Sequence, residues 1–194
     1  MQTVTGRSYA NLPNLLTYGR IAAVPVLVGL LLLETYSGRW LAFSLFLLAG
    51  ISDYFDGMLA RMWNQQSSLG RMLDPIADKL LVAACLLLLC YDQTIFGVHV
   101  WAALIILARE ILVSGLREYL AELRVSIPVT KLAKWKTAVQ FLAIAVLLTG
   151  TAGDVLFVYT TTIGLAALWI AALLTLYTGY DYFRAGLKHV IGDE

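Results

Sequence analysis

Charge is what this sequence has least of. Lys, Arg, Asp and Glu make up 14% of its 194 residues while hydrophobic residues make up 60%, a balance far outside that of soluble globular domains. A water-soluble domain is excluded, and the chain reads as an integral membrane protein. Cysteine is nearly absent: Cys85 and Cys90 lie inside one apolar run at a spacing that fits neither a zinc motif nor a redox pair, so they read as small buried hydrophobes. Internal repeats, low-complexity stretches and linkers are missing, which leaves one membrane domain over residues 1–194. The polar start, MQTVTGRSYANLPN, carries no cleavage signature, so the first helix is read as retained and residues 1–12 as a short interfacial segment. No nucleic-acid partner is expected.

What is present is a series of apolar runs. Leu15 to Leu33, Trp40 to about Arg61, Met72 to Cys90, Val98 to Tyr119, Ala138 to Leu148 and Val155 to Tyr177 are read as six transmembrane helices, most of them long enough for a hydrocarbon core of ~30 Å. The fifth extends backwards into a basic segment and TGTAGD is expected to turn it. The tail after Tyr177 should leave the membrane with an aromatic belt. Of the 14 Lys and Arg, only Arg39 falls in a connector on the opposite face, so both termini are expected in the cytosol. The fold class is therefore an all-α membrane protein of six spans.

Against this background four carboxylates stand out. Asp53 and Asp56 are three apart, and Asp74 and Asp78 are four apart. In helices, each pair projects from one face. Two such faces, opposed, make an acidic pocket that is sunk into the membrane and open to the cytosol. Each ionised acid costs at least ~2.5 kcal/mol at helix-centre depth, so four are not decoration. Their mutual repulsion implies divalent cations, and oxygen-only ligation favours magnesium, manganese or calcium over zinc. Arg20, well inside the first span, either snorkels to the headgroups or turns inward towards an anion.

Asp53-x-x-Asp56-Gly57-x-x-Ala60-Arg61, eight residues, then Gly70-x-x-x-Asp74-x-x-x-Asp78 resembles the complete signature of the CDP-alcohol phosphotransferase family, with no position departing from it. NLLTYGR, RMWNQ, LDPIADKLL and AREILVSGLREYLAEL resemble the branch that makes phosphatidylglycerophosphate, so the likeness covers most of the chain. In VTKLAKWKT the chain has Ala133 where that branch more often has Gly.

The resemblance implies transfer of a phosphatidyl group from CDP-diacylglycerol to glycerol 3-phosphate with release of CMP. It implies that Asp53, Asp56 and Asp74 ligate two divalent cations, Mg2+ or Mn2+, with Asp78 beside the second as metal neighbour and general base. Gly57, Ala60, Arg61 and Gly70, with Asp53 and with Thr17 and Arg20 of the first helix, would form the CDP-diacylglycerol side. Arg109, Arg117, Lys134 and Lys136 are the candidate cations for the acceptor phosphate. A homodimer in a bacterial inner membrane, active site facing the cytosol, is the implied setting. Two alternatives stay open: the same chemistry on phosphatidylglycerol, inositol phosphate or serine, and an ion or proton transporter using the same acids. Against the transporter, no acid or His lies at mid-depth on the later helices.

Overall fold

A computed structural model describes residues 12–63, 68–122 and 131–191. Among them the secondary structure is helical throughout: α1 (Leu12–Leu32), α2 (Tyr36–Trp63), α3 (Ser68–Tyr91), α4 (Val100–Glu122), α5 (Lys131–Leu156) and α6 (Thr160–Ile191), with a 3-10 turn at Gly97–His99. The expected interfacial segment at residues 1–12 lies almost wholly outside the described residues.

Among the described residues, four segments are long and apolar enough to cross a membrane: Leu15–Leu32, Gly97–Ala121, Trp135–Leu156 and Thr160–Arg184. Side-chain distribution agrees with a lipid surround. Leu48, Trp101, Leu112, Ile170 and Leu173 are exposed, while Thr17, Arg20, Lys136, Gln140, Thr175 and Thr178 are buried. Apolar surface on this scale would be a liability in water and is the natural face towards lipid, where polar side chains turn to the interior.

Local chemistry sets the ends of the helices. Thr35 caps α2, its Oγ1 accepting from the Gly38 amide at 3.0 Å, which satisfies one of the orphan donors of the first turn. After α3, Asp92 Oδ1 accepts from the Thr94 amide at 2.9 Å and closes an Asx turn. Several boundaries differ from the sequence reading. The fifth helix does not stop at TGTAGD but continues to Leu156, with a kink at Gly150, whose φ of 45° and ψ of −129° only glycine adopts without strain. The turn falls at residues 157–159 instead, because Asp154 reaches over it: its Oδ1 accepts from the Thr161 amide at 2.9 Å and its Oδ2 from the Thr161 hydroxyl at 2.6 Å. Likewise α3 begins at Ser68, so Pro75 lies inside the helix rather than in its first turn, and removes one backbone bond next to Asp74 and Asp78.

The chain divides into two compact units, Met1–Leu88 and Leu89–Glu194. In the first, α1 packs on α2 and is tied to α3 by the side chains of Thr17 and Arg20. In the second, α6 packs against both α5 and α4.

Candidate functional site

In the first unit the site is built on Arg20. A guanidinium in the middle of an apolar helix must find anions or reach water. Arg20 is 2% exposed and so does not snorkel; it turns inward. Its Nη1 lies 2.7 Å from Asp53 Oδ1 on α2 and donates also to Asp78 Oδ1 on α3. One turn earlier on the same face of α1, the Thr17 hydroxyl donates to Asp74 Oδ1 at 2.5 Å. Positions 17 and 20 share a face because they are three apart, and that face meets three of the four signature acids. Asp53 and Asp78 remain nearly half exposed, at 45% and 47% of their side chains, while the Arg20 side chain is wholly enclosed. The carboxylates thus face outwards from a buried positive base.

Of the other residues singled out in the signature, Gly70 is buried at the start of α3. Asp56, Gly57, Ala60 and Arg61 fall on α2, but their side chains lie outside the described residues, as does that of Lys134 on α5. Among the described residues, no three acids, histidines or cysteines close in on one point as a preformed metal set. The donor chemistry nonetheless fits an oxygen-ligated divalent cation: Asp53 and Asp78, from two helices, converge on a single positively charged atom of Arg20, so the fold already brings them to one cation.

The second unit holds the other polar cluster. On α4, Arg109 lies 3.5 Å from the carboxylate of Glu110 through Nη1, and donates through Nη2 to Thr178 Oγ1 on α6 at 3.2 Å. Gly179 makes room for it, since a Cβ there would come within 3.1 Å of Arg109 Cγ. Arg109 Nε, Gln140 Oε1 on α5 and Thr175 Oγ1 on α6 are buried without a hydrogen-bond partner. Lys136 on α5 is buried and ion-paired with Glu110. Two turns beyond Arg109, Arg117 donates to Tyr182 Oη at 3.3 Å, with its guanidinium carbon 5.5 Å from that ring's centre, a cation–π geometry.

The sequence reading named Arg109, Arg117 and Lys136 but missed the groups that hold them. Glu110 drew no role there, and Thr178, Gly179 and Tyr182 fell in a tail expected to leave the membrane. In fact α6 runs on to Ile191 and Tyr182 is 5% exposed. Thr175, Thr178, Gly179 and Tyr182 are spaced three and four apart, the one-face periodicity that could have revealed a packed surface.

A family model described as CDP-alcohol phosphatidyltransferase matches residues 10–177. The chain belongs to that family. The match spans both compact units, and with it the chain is a transferase with membrane-capable helices. Among relatives of this phosphatidyltransferase, proteins named CDP-diacylglycerol–glycerol-3-phosphate 3-phosphatidyltransferase come from Rickettsia bellii, Cereibacter sphaeroides and, as form 2, Arabidopsis thaliana. The Rickettsia protein is 48% identical over 179 residues, covering 92% of this chain and 97% of its own. The Cereibacter protein is 40% identical, covering 93% and 97%. The Arabidopsis protein is 38% identical, covering 89% and 78%.

The ion pair of buried Lys136 with the partly exposed Glu110 yields a stability test. Glu110→Gln leaves an ammonium enclosed without its counter-charge and should cost about 3–5 kcal/mol, whereas replacing both residues by Met should recover most of that loss. Thermal unfolding of the purified protein in detergent, run as a double-mutant cycle, measures it. Additive single effects would show that the two charges do not interact.

Proposed function

We propose that this phosphatidyltransferase moves the phosphatidyl group of CDP-diacylglycerol to glycerol 3-phosphate, giving phosphatidylglycerophosphate and CMP. The observation that carries the reading is the complete eight-position signature at 53–78 in a chain of which more than nine-tenths aligns with proteins of that printed activity. The convergence of Asp53, Asp74 and Asp78 on one face of α1 supports it.

In this reading Asp53, Asp56, Asp74 and Asp78 hold two divalent cations, Mg2+ or Mn2+. Such ions, when bound, offset charge on the phosphate oxygens and on the departing CMP. Asp78 takes the proton from the acceptor hydroxyl as it attacks the phosphorus that bears the diacylglycerol. No residue forms a covalent bond to substrate. Gly57, Ala60 and Gly70 leave room for the nucleotide, Arg61 balances its phosphates, and Thr17 and Arg20 position the acids at its edge. Arg109, Arg117, Lys134 and Lys136 take the acceptor's phosphate; Thr178, Gly179 and Tyr182 support the reading by orienting two of those cations. All six α-helices cross the membrane in this proposal, both termini lie in the cytosol with the active site, and the whole chain acts as one domain within a homodimer in a bacterial inner membrane.

The direct test is CMP release from CDP-diacylglycerol by the purified protein, with a panel of acceptors. Release should require glycerol 3-phosphate, stop in chelator and return with Mg2+ or Mn2+ but poorly with Zn2+. Release with inositol phosphate, serine or phosphatidylglycerol in its place would reassign the acceptor, and release without added metal would remove the cations from the mechanism.

Two variants separate the roles of the residues. Asp78→Asn should lower turnover by about 10²- to 10⁴-fold, the usual loss of a general base, while CDP-diacylglycerol still binds; near-normal turnover would assign the proton elsewhere. Arg109→Ala should raise the KM for glycerol 3-phosphate roughly ten- to a hundredfold, the worth of a charge-assisted phosphate contact, with much less effect on the KM for CDP-diacylglycerol. Equal changes for both substrates would place the acceptor phosphate on other groups.

A further inference from the structure

Arg20 does more than fill a polar gap. Its Nη1 stands between carboxylates of two different helices, Asp53 at 2.7 Å and Asp78, which is where a cation bridging those acids would have to act. The carboxylates are nearly half exposed, so an ion can reach their outer oxygens, while the guanidinium behind them has no exposed side-chain surface. An ion bound on those outer oxygens would sit a few ångströms from a buried positive charge, in surroundings that screen the repulsion weakly. A dication and this guanidinium therefore cannot share Asp53 and Asp78 without cost.

We propose that Arg20 is an internal counter-ion that competes with a divalent cation for Asp53 and Asp78. This rests on the reading of those acids as cation ligands. With no ion bound, Arg20 offsets part of their charge and ties α1 to α2 and α3; ion binding loosens or displaces the guanidinium. Thr17, which holds Asp74 through a neutral hydroxyl, imposes no such competition. A long side chain with several torsions can make the movement without shifting the helix backbone. The arrangement makes the protein's own arginine lower the affinity for the ion, so that the acids are held in place before loading and yet release the ion readily.

The test is Mn2+ titration of the purified full-length protein in detergent, with free Mn2+ measured by electron paramagnetic resonance, together with thermal unfolding in chelator and in saturating Mn2+. Arg20→Gln should bind Mn2+ at least about tenfold more tightly than the wild type, the scale of one lost charge-assisted contact. It should also unfold about 5 °C lower in chelator, with the gap closing in Mn2+. If Arg20→Gln does not fold, Arg20→Met, an uncharged side chain of similar length with no polar group to leave unpaired, should likewise bind Mn2+ more tightly than the wild type. Unchanged or weaker Mn2+ binding by the variant that folds would overturn the competition and leave the acids as ligands. No Mn2+ binding by wild type or variant would overturn the ligand assignment itself, and this inference with it.

Discussion

A buried guanidinium in a lipid-facing bundle can persist only if anions are brought to it, and three helices of the first unit are placed by that requirement. Arg20 comes from α1, Asp53 from α2 and Asp78 from α3; Thr17, on the same face of α1, adds Asp74. Each of these charged groups would be costly if enclosed without a partner. Together they compensate one another, and the outer halves of the carboxylates stay open. The same contacts thus leave carboxylate oxygens of Asp53 and Asp78 open at the surface of the unit.

The second unit solves a similar problem differently. Lys136 pairs with Glu110, Arg109 lies between that same carboxylate at 3.5 Å and the Thr178 hydroxyl of α6, and Arg117 is held by the Tyr182 phenol and ring. A cation held by neutral partners keeps more of its field for a ligand than one already paired with a carboxylate. On that ground Arg117, held by the Tyr182 phenol and ring, would keep more of its field for a phosphate than Lys136, whose charge is largely answered by Glu110.

Much of the architecture was legible before any coordinates. Apolar runs of about twenty residues dictate helices because lipid offers no partners for backbone groups, and the spacing of Asp53, Asp56, Asp74 and Asp78 dictates which acids share a face. The misplaced turn after α5 shows the limit of such reasoning. TGTAGD has the composition of a loop, but a glycine kink within a helix and a carboxylate reaching across the true turn use the same residue types.

By itself, then, the sequence determined the membrane class, the helices, the acidic signature and the family, because these depend on local periodicity and on residue types at set intervals. It also placed Arg20 too deep to be ordinary. Only the tertiary structure decided that Arg20 faces inward to Asp53 and Asp78, that Lys136 is answered by Glu110, and that Thr178, Gly179 and Tyr182 of α6 support the arginines of α4. Periodicity states which side chains share a face of a helix; which face meets which neighbour is settled by packing among helices far apart in the chain, where the need to pair every buried charge selects one arrangement.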